Sequence, residues 1–157
     1  LSATRLTLDL QRVSAPPGVP GERAFRQWAR AALGQVAGSR SLVIRVVDEA
    51  ESRDLNQRFR GIDRATNVLS FPFEGPPGLA TGLLGDLVIC APVVRRESAE
   101  QGKSARAHWA HMVVHGVLHL MGYDHANDQE AAVMEARERE VLAELGFGDP
   151  YATEQDS

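Results

Sequence analysis

His115-Gly116-Val117-Leu118-His119-Leu120-Met121-Gly122-Tyr123-Asp124-His125 is the stretch on which the reading of this chain turns. His115 and His119 stand four residues apart, so a helix projects both from one face about one turn, ~5.4 Å, apart. Two imidazoles so placed can converge on one ion. Gly122 can take the left-handed backbone that ends a helix, and the turn it makes brings His125 back as a third ligand. Three neutral nitrogens with a vacant fourth position describe a catalytic zinc site rather than a closed structural one. The stretch predicts a helix carrying one zinc ion, held by His115, His119 and His125.

Outward from it, the spacing predicts a long helix over Ser104 to Met121 and a last helix over Asn127 to Leu145. Upstream, Leu6, Leu8 and Leu10 alternate within a strand over Thr4 to Val13, which Pro16, Pro17 and Pro20 break. Phe25, Trp28, Ala29, Ala32, Leu33 and Val36 form the stripe of a helix over Ala24 to Ala37. The β-branched run Ser41 to Val47 is a second strand, and a short helix opens at Asp48 or Glu49 and runs to about Phe59. Asn67 to Phe71 and Leu83 to Ala91 are the remaining strands, an antiparallel pair joined by the proline- and glycine-rich Glu74 to Gly82. Pro72 belongs at a sheet edge or strand end, where no ladder donor is needed. A proline-led helix follows over Pro92 to about Gln101. The order β-α-β-α-β-β-α-α-α predicts an α+β fold, a mixed four-stranded sheet packed by several helices, in one domain over residues 1–157.

Composition narrows the classes. No apolar run approaches the ~20 residues that span a bilayer, so no membrane partner is expected. The first residues are polar at every second or third position and lack a signal-peptide core. A single cysteine, Cys90, excludes an intrachain disulfide framework, fits a reducing cytosol, and lies in an apolar run where a packed thiol is expected. The net charge of −4 argues against a generic nucleic-acid binder. Its distribution softens the objection: residues 127–157 carry nine acidic and two basic side chains, leaving residues 1–126 at +3. A phosphate-rich ligand stays compatible with that.

A zinc ion held by neutral imidazoles keeps its double charge at the open position, which suits hydrolysis. Helical zinc peptidases place a general-base glutamate directly after the first histidine. Here that residue is Gly116, which implies close packing or room for a bulky substrate, and moves the peptidase reading down. His108 and His111 share nearly the same helix face and are expected to be packed or hydrogen-bonded near the core. Asp124 is either an orienting partner for a ligand histidine or a turn residue bonding the backbone.

Two further segments matter, Leu55-Asn56-Gln57-Arg58-Phe59-Arg60 and Thr66-Asn67-Val68-Leu69-Ser70-Phe71-Pro72-Phe73-Glu74. Alone, Arg58 and Arg60 read as solvated surface charges, and the stretch has low specificity. With the histidine stretch, the chain resembles the bacterial YbeY family of metal-dependent single-strand endoribonucleases. The pattern His-Gly-x-Leu-His-Leu-x-Gly-Tyr-Asp-His is met at every fixed position. Ala107 to Val114, Met134-Glu135, Gly85-Asp86 and Gly146 to Tyr151 also resemble the family, from about Val43 to Tyr151 in all.

The resemblance implies zinc on His115, His119 and His125, and a functionally important Arg60. It further implies a cytoplasmic factor acting on single-stranded and ribosomal RNA and the small ribosomal subunit. The implied tasks are maturation of the 3′ end of 16S RNA and removal of defective ribosomes, with no DNA partner. A guanidinium suits Arg60's role, since it can hold two phosphoryl oxygens at once. Phe71 and Tyr123 are candidate base-stacking rings, and Arg53, Arg58, Arg64, Arg95, Arg96 and Arg106 candidate phosphate contacts. The rivals are a zinc peptidase, with Glu135 or Asp124 as base, and a non-enzymatic ribosome-assembly factor whose structural metal takes His111 or Asp124 as a fourth ligand.

Overall fold

Strands whose side chains alternate between a buried core face and a second, partly covered face set the architecture. The computed structural model describes residues 5–14, 16–36, 38–74 and 82–152. Four strands, β1 (Arg5–Arg12), β2 (Ser39–Val47), β3 (Val68–Pro72) and β4 (Leu83–Cys90), form one sheet in the order β1-β2-β4-β3. β1 and β4 both run parallel to β2, while β3 lies antiparallel to β4 at the edge. Interspersed are α1 (Glu22–Leu33), α2 (Glu49–Arg60), α3 (Ala91–Glu100), α4 (Ala105–Leu120) and α5 (Asp128–Glu144). The element order and the mixed sheet agree with the sequence reading. α1 stops short of the predicted Ala37, because Gly34 takes φ +66° and ends it. The Glu74 to Gly82 connection lies mostly outside the described residues.

β4 shows why its sequence is a continuous apolar run. Leu87 and Ile89 enter the main core with Leu42, Ile44 and Val46 of β2 and residues of α1, α4 and α5. Val88 and Cys90 enter a second cluster with Val47, Leu69 and Val93, against which Leu55 of α2 packs. Both faces are covered, as expected for a strand in a parallel neighbourhood. Cys90 is buried, so its thiol is a packing group. Pro72 ends the edge strand, where the absent N–H costs nothing. Opposite it, Gly85 at φ +139° lets the backbones close, since a Cβ there would lie 2.2 Å from the Phe71 carbonyl oxygen.

α4 runs through the middle, touching α1, α3, α5, β3 and β4. It is apolar nearly all round, as a buried helix must be, from Trp109 through Val113 and Val114 to Leu118. Ser104 caps its start by accepting from the Ala107 N–H at 3.1 Å. Gly122, at φ +108°, ends it. Its N–H bonds the His119 carbonyl at 3.0 Å and the Tyr123 N–H bonds the Leu118 carbonyl at 3.1 Å. These are the two crossed bonds of a Schellman turn.

Gly116 resolves the choice its position posed. A Cβ there would come within 2.6 and 2.9 Å of the Leu87 methyls, so the glycine serves close helix–sheet packing. Leu87 is fully buried and has little room to yield. Gly116→Ala should therefore lower stability by about 1–2 kcal/mol, an overpacking penalty reduced by alanine's better helix propensity. Denaturant unfolding checks this. A stabilised variant would mean that Leu87 repacks freely.

Candidate metal centre

The end of α4 opens onto a cavity of about 580 Å³ lined by His115, His119, Asp124 and His125 together with Phe59, Arg60 and the segment Thr66–Phe71. His115 and His119 come from the last two turns of α4, and His125 from the turn beyond Gly122. The His125 ring centroid lies 5.7 Å from that of His115 and 5.9 Å from that of His119, the planes inclined by 28° and 26°. All four residues singled out from the sequence, Arg60 included, thus face one space.

The histidines are held from behind. His119 Nδ1 donates to the Tyr123 carbonyl at 2.9 Å, an acceptor supplied by the same turn that ends the helix. His115 Nδ1 donates to Glu138 Oε1 at 2.6 Å. A ring nitrogen that gives its proton away leaves the other, Nε2, with a free lone pair, the form that binds a metal. These residues therefore fit a divalent metal that prefers imidazole. Asp124 is not the orienting group: its carboxylate accepts from the His125 backbone N–H at 2.7 Å, the turn role.

Glu138 sits on α5 and is fully buried. It also accepts from His111 Nε2 at 3.2 Å and from the Tyr151 hydroxyl. Burial pulls its carboxyl upward, but the bonds from His111, His115 and Tyr151 outweigh this and hold it at about 2. Tyr151 is pushed up by burial and by the carboxylate it faces. His111, His115 and Glu138 each bring a ligand atom within 4.8 Å of the others, so this group could itself hold a metal ion. Such an ion would have to displace the protons that His111 and His115 donate. We read the cluster as a hydrogen-bonded clamp on the back of His115. His111 is then a packed partner, as expected, and so is His108, whose Nε2 meets Glu97 at 2.9 Å. Burial lowers the His108 pKa, against the pull of Glu97. Glu97 in turn accepts from Asn67 at 3.0 Å, fixing the cavity wall.

Arg60 is the last residue of α2, and Gly61 closes that helix in the left-handed conformation. Ser52 accepts from the Thr66 N–H at 2.9 Å and Asn56 donates to the Arg64 carbonyl at 2.9 Å, tying the following loop to the helix. Among the described residues the Arg60 side chain has no hydrogen-bond or ion-pair partner. Several candidate phosphate contacts do: Arg53 pairs with Asp63, Arg58 with Asp54 and Arg96 with Glu49, while Arg106 lies over the Trp28 ring. Phe71 lines the cavity, and Tyr123 packs against the main core.

Sequence reasoning missed Glu138, Tyr151 and Phe59. A signal existed for Glu138. Met134, Glu138, Val141 and Leu142 share one buried face, so an acid stands where the helical pattern demands an apolar group.

The family model described as Endoribonuclease YbeY matches residues 20–146. A curated Endoribonuclease YbeY of Alkalilimnicola ehrlichii is 58% identical over 158 residues, covering 98% of this chain and 95% of the relative. A solution structure of a Thermotoga maritima protein shares the fold, with a TM-score of 0.58 at 23% identity, covering 93% of this chain and 99% of that one.

Glutamine at 138 keeps one acceptor oxygen but cannot accept from three donors. Glu138→Gln should weaken metal binding about 10- to 100-fold, the usual effect of losing a ligand's supporting carboxylate. Tyr151→Phe, which leaves the His115 bond intact, should weaken it less. Competition with a chromophoric chelator measures both. Unchanged affinity in Glu138→Gln would reduce the carboxylate to a tie between helices.

Proposed function

The chain belongs to the YbeY family of endoribonucleases, and on that premise we propose that it hydrolyses phosphodiester bonds of single-stranded RNA at the cavity described above. The observation that carries this is the joint presence, in one space, of His115, His119 and His125 with an Arg60 that has no anionic partner among the described residues. We assign the three histidines as ligands of one zinc ion. When bound there, the metal supplies a Lewis acid and lowers the pKa of the attacking oxygen.

The remaining work falls to the protein. Cleavage builds negative charge on the phosphoryl oxygens, and the Arg60 guanidinium can take two of them in a fork. Glu138 and the Tyr123 carbonyl hold the histidine rings in the binding tautomer. Asp124 lines the cavity but has one oxygen taken by the His125 backbone N–H, and Glu135, beside Arg139, is not part of the cavity lining, so neither favours a peptidase base. The structural-metal alternative is disfavoured by the bond that ties His111 to Glu138. Family membership extends the assignment to ribosomal RNA, with maturation of the 3′ end of the small-subunit RNA and ribosome quality control as the cytoplasmic task. No helix among the described residues is long and apolar enough to cross a membrane.

Incubating metal-loaded protein with unstructured RNA and with casein tests the class of reaction: RNA is cut and casein is not. Arg60→Ala should lose about 100-fold or more of cleavage while keeping its metal, the scale seen when a charge-stabilising donor is removed. His119→Ala should lose both. Parallel loss of metal and activity in Arg60→Ala would give Arg60 a structural job instead. Because three of the six candidate arginines, Arg53, Arg58 and Arg96, are already ion-paired, RNA binding should fall with salt at a log–log slope of only about −2. A much steeper slope would require a basic groove elsewhere.

A further inference from the structure

Phe59 is 61% exposed, the most exposed large apolar side chain among the described residues. It stands one residue before Arg60 and lines the cavity of the histidines. Its ring meets Phe71 edge-on, centroids 5.1 Å apart and planes at 69°. Phe71 packs against the second apolar cluster, so the ring behind Phe59 is anchored. The left-handed cap at Gly61 and the Ser52–Thr66 and Asn56–Arg64 bonds hold the end of α2 in place. A flat apolar face is thus presented to solvent on a rigid support, next to an arginine with no carboxylate partner among the described residues.

We propose that Phe59, backed by Phe71, is the stacking platform for one unpaired base of the substrate, beside the phosphate held by Arg60. The inference rests on the endoribonuclease reading and names a specificity-determining residue for it. A single nucleic-acid strand repeats a planar, largely apolar base next to an anion, and the pair Phe59–Arg60 presents the complementary groups in adjacent residues. The charge beside the ring favours that occupant over an apolar peptide, which would leave the guanidinium facing nothing. In a duplex the base faces are already covered by neighbouring pairs and cannot reach the ring, so the platform selects single strands. Every base has such a face, so the contact tolerates sequence.

The test is competition against cleavage of a fluorophore-labelled RNA by the metal-loaded protein. One competitor is oligouridylate and the other an abasic ribose-phosphate oligomer of equal length. Wild type should prefer the base-bearing strand by about tenfold, the order of a single base–aromatic stack. Phe59→Ala should nearly abolish that preference at unchanged metal content. Phe59→Tyr should keep it and Phe59→Leu should not. The ratio cancels any disturbance of Arg60, which acts on both competitors alike. An undiminished preference in Phe59→Ala, or a full one in Phe59→Leu, overturns the platform while leaving the nuclease assignment standing. Failure of wild type to cleave RNA or to be inhibited by either oligomer overturns both.

Discussion

One buried carboxylate organises this molecule. Glu138 has no access to solvent, and a charge so placed costs several kcal/mol unless donors surround it. Its three donors arrive from two places: His111 and His115 from α4, and Tyr151 from the segment beyond α5. None is dispensable without leaving the anion underpaired. That segment is itself pinned, by Lys103 Nζ donating to the Pro150 carbonyl at 2.5 Å and by Arg139 on Asp149 at 3.1 Å. The orientation of one ring at the candidate metal centre therefore depends on contacts spread over the last third of the chain.

The second constraint is steric. α4 can lie close against β4 because residue 116 has no side chain, and Leu87 occupies the room. This approach sets the end of α4 beside the edge strand β3 and the end of α2. The chemical groups then come from element ends, where backbone direction changes and side chains can converge: His119 and His125 flank a Schellman turn, and Arg60 precedes a left-handed glycine. The interiors of the same elements supply the stiffness.

What the sequence disclosed follows a physical divide. Local periodicity is written in neighbouring residues, so the strand and helix order, the antiparallel β3–β4 pair, the helix end at Gly122 and the shared face of His115 and His119 were all legible. Pairings between distant segments were not. Asp124 looked as good an orienting acid as any because it sits beside His125, yet the acid that orients a histidine, Glu138, lies 23 residues beyond His115 on another helix. Arg53 and Arg96 looked available for phosphate because their partners Asp63 and Glu49 are brought up only by folding. Gly116 remained ambiguous until Leu87 appeared opposite it. Phe59 read as one more helix residue, since nothing in its neighbours states that its ring stays outside the core.

The chain's uneven charge acquires a meaning from this geometry. The acidic C-terminal portion contributes Glu138 behind the imidazole of His115, on the ring nitrogen facing away from the cavity. An anion there raises the basicity of the opposite nitrogen and so favours a bound cation. On the cavity side, Arg60 offers positive charge, and Asp124, the one carboxylate among the described residues lining the space, accepts from a backbone N–H. A peptidase of the helical zinc type needs the reverse, a glutamate in front of the metal at position 116. Here that position is filled by the contact with Leu87. The packing that seats α4 on the sheet thus withholds the carboxylate base suited to amide hydrolysis. On the proposed assignment the Arg60 guanidinium, unpaired among the described residues, supplies what a phosphodiester requires, and substrate preference would then follow from helix–sheet packing as much as from a bound metal.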